Sequence, residues 1–69
     1  MIEEIEKNSQ QKIRISIEVY NTHHYVDVRV YYRNENGEWH PTKKGITLND
    51  ETIDPVIKAL RKARRKLGG

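Results

Sequence analysis

Cysteine and phenylalanine are absent from the 69 residues, which contain only two prolines, four glycines and one tryptophan. Without cysteine, neither a disulfide nor a thiolate-bound metal can staple the chain. No run approaches the roughly 20 apolar residues of a membrane-spanning helix, and no apolar signal core precedes a cleavage site. Apolar residues are 35% of the chain and mean hydropathy is −0.94, so one copy has little material for a core. A chain this short hides only about 60% of its unfolded surface. Apolar burial weighed against chain entropy then comes out near zero. Self-association is the expected staple. The reading is one small intracellular domain, in cytoplasm and nucleoid or in a nucleus according to host, with no membrane partner.

Charge is uneven along the chain. The net charge is +3, from 13 Lys and Arg against 10 Asp and Glu. Six of the cations (Lys58, Arg61, Lys62, Arg64, Arg65, Lys66) fall between Lys58 and Lys66 with no acid among them. Three acids, Asp50, Glu51 and Asp54, come just before. A basic balance suits a polyanionic partner, but it is placement that decides.

Residues 1–12 are polar and read as a flexible N-terminal tail, leaving 13–69 as the domain. From Ile13 the hydrophobic period becomes two: Ile13, Ile15, Ile17 and Val19 alternate with Arg14, Ser16, Glu18 and Tyr20. Asn21 to His24 reads as a turn. A second strand places Val26, Val28, Val30 and Tyr32 on one face, with Tyr25, Asp27, Arg29, Tyr31 and Arg33 on the other. Asn36-Gly37 signals a tight hairpin, since both residue types tolerate positive φ. Glu38 to His40 reads as a short third strand ended by Pro41, and Ile46 to Leu48 as a brief fourth. Asn49 is the expected N-cap of a helix whose apolar stripe is Ile53, Val56, Ile57, Leu60, Ala63 and Leu67, with Pro55 either restarting or bending it. The expected class is α+β: a β-β-β-β-α order, an antiparallel sheet followed by one C-terminal helix.

The first two strands pair with Ile15 near Val30 and Ile17 near Val28 in this reading, giving one apolar sheet face that must be covered. Trp39 joins Tyr32 there by parity. One helix covers only part of that face and has a stripe wide enough to meet a second helix, which argues for a helix-mediated homodimer. The other face carries Arg14, Tyr20, Tyr25, Arg29, Tyr31, Arg33 and His40. Rings interleaved with guanidinium groups suit single-stranded nucleic acid, because bases stack on rings while cations follow the phosphates. Arg29 has a plainer role too: diagonal to Glu18, which this register sets opposite Asp27, it neutralises a like-charge pair.

His23, His24 and His40 do not have metal-ligand spacing, and no nucleophile–base pair or glycine-rich phosphate loop is present. Neither a metal, a cofactor nor an enzymatic activity is expected. The basic run Lys58–Lys66 complements the helix dipole as a solvated face, or forms a further phosphate-binding strip. Attachment to an acidic membrane surface is a third reading, which the modest apolar face and its expected burial in a dimer argue against.

Asp27-Val28-Arg29-Val30-Tyr31-Tyr32, Asn36-Gly37-Glu38, Pro41 and Lys43-Lys44-Gly45-Ile46-Thr47-Leu48-Asn49 together resemble the core domain of the transcriptional positive cofactor four family. The resemblance covers about residues 13–60. It implies a dimer joined through its helices, whose curved sheets hold single-stranded DNA with little sequence preference. The family's strand arginine corresponds to Arg29, its stacking tryptophan to Tyr32, its first-strand aromatic to Tyr20, and its basic pair before glycine to Lys43-Lys44. The lysines of the family's first turn are replaced by Asn21 and His23.

The expected function is therefore non-enzymatic single-stranded DNA binding by a homodimer, in transcription, replication or recombination. Tyr20 and Tyr32 would stack on bases. Arg29, Lys43 and Lys44, helped by Arg14, Arg33 and His23, would meet phosphates. A dimeric protein-interaction module of the transcription apparatus is the alternative. RNA and duplex DNA remain open as further ligands.

Overall fold

The two β-branched runs form the centre of the fold. The computed structural model describes residues 2–68, in the order β1 (Glu3–Asn8), β2 (Gln11–Tyr20), β3 (His23–Arg33), β4 (Trp39–Leu48) and α1 (Ile53–Leu67). The strands make one open antiparallel sheet in sequence order. The expected class and element count hold. The strands themselves come partly from other segments.

Residues 3–8 are a strand, where the sequence suggested a tail. Ile5 faces Ile13, Glu4 faces Arg14, and Glu6 faces Lys12, so β1 offers one apolar contact and two opposite-charge pairs. The Ile2 amide adds a bond to the Ile15 carbonyl at 2.9 Å. An edge strand has one free side and few buried positions, which is why its sequence looks like solvated coil. The expected third and fourth strands are a single strand, β4. Pro41 is tolerated because β4 is the other edge of the sheet, where a missing N–H faces no neighbour.

Register shifts by two residues from the expected pairing: Ile13 faces Val30, Ile15 faces Val28, and Ile17 faces Val26. An even shift keeps each side chain on its face. The cause is the turn. Tyr20 pairs with His23, so the connection is Asn21-Thr22 alone, with φ of +49° and +68°. This is the tight primed turn, and it sits one hairpin earlier than its expected place at Asn36-Gly37. The β3–β4 connection is a longer loop in which only Gly37 has positive φ, at +79°. Asn34 organises it: its Oδ1 accepts from the Asn36 and Glu38 amides, each at 2.9 Å. Thr22 is β-branched and poorly suited to positive φ. Replacing it with glycine is expected to stabilise the fold by about 1 kcal/mol. Thermal melting by circular dichroism would register this as a rise of about 4–8 °C.

The longer loop also changes a face assignment. Arg33 faces Trp39 and Tyr32 faces His40. Trp39 therefore lies on the polar face, and His40 lies with Tyr32 on the apolar one. The two residues exchange the places that parity across a shorter turn would give them.

Almost nothing is fully buried. Leu48 is the one buried hydrophobic residue among those described, and Ser16 the one buried polar residue. Ile17, Val19, Ile46 and Tyr32 stand exposed on the apolar face. The surface of 5952 Å² exceeds by about 1,400 Å² what a compact monomer of 8.2 kDa exposes.

Helix α1 touches the sheet only at its start, with Ile53 and Val56 half-buried and Leu60 and Leu67 exposed. Its cap differs from the expected Asn49. Asn49 Oδ1 closes the turn ahead of the helix, accepting from the Glu51 and Thr52 amides at 2.9 Å each, and Thr52 is the N-cap residue. Pro55 lies in the first turn of an unbroken helix, where its missing N–H leaves no bond unmade.

Candidate nucleic-acid interface

Directly paired residues of an antiparallel sheet share a face, so register defines the polar surface. From the Gly37 end it carries Trp39 with Arg33, then Tyr31 with Lys12, Arg29 with Arg14, Asp27 with Ser16, Tyr25 with Glu18, and finally His23 with Tyr20. From Lys12 to Tyr20 this is roughly 26 Å of strand. Tyr20, His23, Arg14, Arg29 and Arg33 are thus brought onto one surface. Tyr32 is not: it lies behind, its ring centroid 5.7 Å from that of His40.

Two cations lie over rings on this surface. The Lys12 ammonium is 4.3 Å from the Trp39 ring centroid, and the Arg14 guanidinium is 4.1 Å from that of Tyr31. Cation–π attraction holds each ring and cation together as one unit. Lys12 and Trp39 were not among the expected site residues. Lys12 fell in the supposed tail, and Trp39 was placed on the wrong face by the assumed turn.

Arg29 occupies the middle of the surface and is largely committed. Its Nε and Nη2 donate to the two carboxylate oxygens of Asp27 at 3.1 and 3.0 Å, and its Nη1 donates to the Thr42 carbonyl at 3.0 Å. Asp27 is therefore the acid it neutralises, in place of the expected Glu18, which faces Tyr25. The Asp27 hydrogen bonds hold the Arg29 pKa above its ordinary value. Two of the five guanidinium N–H groups remain for a ligand.

The Thr42 contact explains the basic pair. Between Arg29–Gly45 and Tyr31–Pro41, the single residue Val30 is opposed by Thr42, Lys43 and Lys44, so β4 bulges. Thr42 Oγ1 donates to the Val30 carbonyl at 2.7 Å and accepts from the Lys44 amide at 3.1 Å. Arg29 and Thr42 pin the bulge, and Lys43 and Lys44 project from the sheet edge, both exposed. Lys44 also borders the apolar face beside Ile46.

On the opposite edge Glu4 accepts from Lys12 at 2.9 Å and from Arg14 at 3.0 Å. The Lys12 hydrogen bond is the main cause of a Glu4 pKa below the usual carboxylate value, with Arg14 adding to it. A lowered folded-state pKa contributes stability above the unfolded value of about 4.3, lost as pH falls through the folded one. Amide-exchange protection of β1 is accordingly expected to drop between pH 6 and pH 3 while the Ile15–Val28 pair stays protected. Uniform loss across the sheet would show that Glu4 does not anchor β1.

Comparison with known proteins agrees with this geometry. The family model described as transcriptional coactivator p15 (PC4) matches residues 7–59. A PC4 homologue from Burkholderia pseudomallei is similar in two crystal forms. The orthorhombic form has 38% identity and a TM-score of 0.85, covering 93% of this chain and 86% of that one. The tetragonal form has 36% identity and a TM-score of 0.86, covering 91% and 93%. A bacteriophage T5 homologue of the eukaryotic coactivator PC4, implicated in recombination-dependent DNA replication, shares the fold at 20% identity. It has a TM-score of 0.74 over 96% of this chain and 80% of that one. No curated protein sequence matches. The chain belongs to the transcriptional coactivator p15 (PC4) family.

Proposed function

We propose that this protein is a non-enzymatic homodimer that binds single-stranded DNA on the polar sheet face, with little sequence preference. The observation carrying this is one surface with two cation-capped rings beside a pinned basic bulge. Tyr31, Trp39 and the exposed Tyr20 offer base-stacking surfaces, each worth about 1–3 kcal/mol per base. Lys43, Lys44 and Arg33 supply exposed positive charge, Lys12 and Arg14 add positive charge fixed over the rings, and Arg29 mainly sets the shape of the bulge. Stacking and backbone charge do not read base edges, hence the weak sequence preference. The role of the coactivator family and the recombination-linked replication of the phage homologue support work on exposed strands in transcription or replication.

The exposed apolar residues and the surplus of total surface support dimerisation. About 1,400 Å² per chain is ample for a standard interface, which takes about 800 Å² from each partner. The exposed stripe of α1 and the uncovered sheet face are the surfaces to be joined.

The test is an anisotropy titration of labelled oligo-dT over a salt series, with molecular mass measured in parallel. Four to six phosphate contacts give a slope of log K against log salt of about −3 to −4. Absent or salt-insensitive binding, or a stable lone subunit, would overturn the proposal.

A further inference from the structure

The sheet site leaves the most basic part of the chain unused. All six cations between Lys58 and Lys66 are exposed, and among the described residues none forms an ion pair. They are not spread evenly round the helix. Lys58, Arg61, Lys62 and Arg65 follow the i, i+3, i+4, i+7 spacing of one face. That face is turned away from the stripe of Ile53, Val56, Ile57 and Leu60, with Arg61 at its border and Arg64 on the stripe side. Small residues sit beside them: Pro55, Ala59 and Ala63 open a shallow groove along Lys58, Lys62 and Lys66. A bulky ligand can therefore approach the helix backbone closely while three ammonium groups close on it.

From these features we infer that the outer face of α1 is a second nucleic-acid site, built for the phosphate backbone of duplex DNA. Two arguments select a duplex over a single strand. The helix has no aromatic residue, so unpaired bases would gain no stacking there, whereas a duplex keeps its bases stacked on one another. A duplex also presents one charge per about 1.7 Å of axis, twice the density of one strand, to a cationic row about 12 Å long. The apolar stripe lies on the other side of the helix, so burying it leaves the row free. A protein holding single-stranded DNA on its sheet and duplex on its helix would bind best where the two meet.

The test uses the full chain and four probes: oligo-dT, a blunt 20-base-pair duplex, that duplex carrying a dT tail, and anionic phospholipid vesicles. The variant Lys58→Gln, Arg61→Gln, Lys62→Gln, Arg65→Gln removes the row, and circular dichroism and mass confirm that it folds and assembles as the parent does. If it does not, the charge-conserving pair Arg61→Lys, Arg65→Lys and the double variant Lys58→Gln, Lys62→Gln stand in for it. The expected result is at least tenfold loss of duplex binding by the charge-removing variant and less than twofold change for oligo-dT, with Arg61→Lys, Arg65→Lys keeping duplex affinity. The salt slope for duplex, about −3.6 for four contacts, should largely vanish with the row. The tailed duplex should bind the parent at least tenfold more tightly than either simple probe. Equal loss for oligo-dT and duplex, or duplex binding that survives removal of the row, would overturn the inference. So would helix-dependent binding to anionic vesicles at a salt concentration where duplex is not bound. Failure of oligo-dT binding with duplex binding intact would instead strike the sheet site and leave this one standing.

Discussion

Alanine at Gly45 is expected to destabilise the protein by about 1–3 kcal/mol and to release the basic bulge. A Cβ there would lie 2.6 Å from the Val28 carbonyl oxygen, 2.9 Å from Arg29 Cζ and 3.0 Å from Arg29 Cα. Two of these neighbours are backbone atoms of the central strand, so they cannot rotate away. The third is the guanidinium carbon that must cross Gly45 to reach the Thr42 carbonyl. The substitution therefore pushes β4 from β3 and lifts Arg29 off Thr42 in one step. A fall in Tm of about 5–15 °C is expected by calorimetry, together with weaker oligo-dT binding at temperatures where the protein remains folded. Unchanged Tm would show that β4 relaxes freely and that Gly45 does not gate the bulge.

Removal of charge at the bulge should leave the fold alone and act on the ligand. Lys43 and Lys44 are exposed and make no ion pair among the described residues, so Lys43→Gln with Lys44→Gln breaks no internal contact of their charges. Each phosphate contact to a single strand contributes about 0.7 to the salt slope. Loss of both should flatten the slope by about 1.4 and weaken oligo-dT binding about 25-fold at 0.1 M salt. Melting temperature and assembled mass should not move. An unchanged slope would place the phosphates elsewhere on the sheet and remove the reason for a pinned bulge. Lys12 and Arg14 would then have to carry more of the binding, although Glu4 already takes up part of their charge.

The relation of these residues to one another shows how far a linear reading reaches. The runs Ile13–Ile17 and Val26–Val30 are legible because each strand buries one side and alternates accordingly. β1 was not, because an edge strand held by Glu4 and one isoleucine has the composition of solvated coil. Lys43-Lys44-Gly45 looked like a break between two short strands. It is a bulge within one strand, and the hydrogen bonds that keep it in the sheet come from Thr42 and from Arg29, distant in sequence.

Site geometry was less accessible than site composition. The motif residues Arg29, Lys43, Lys44 and Gly45 do come together, yet Arg29 works mostly as a clamp. Trp39 and His40 exchanged faces because a hairpin's parity depends on how many residues its turn consumes, and both candidate turns contain asparagine. Tyr32 remained behind the sheet because β3 runs without a bulge against β2 through that position.

By itself the amino-acid order determined the two-faced central strands, the amphipathic helix and the family motif, since all depend on local periodicity and short-range turn chemistry. Tertiary structure alone decided which turn is tight, which residues share a face, and that Arg29 pins the bulge. Those outcomes depend on pairing between segments far apart along the chain, where a shift of one residue turns every side chain to the other side of the sheet.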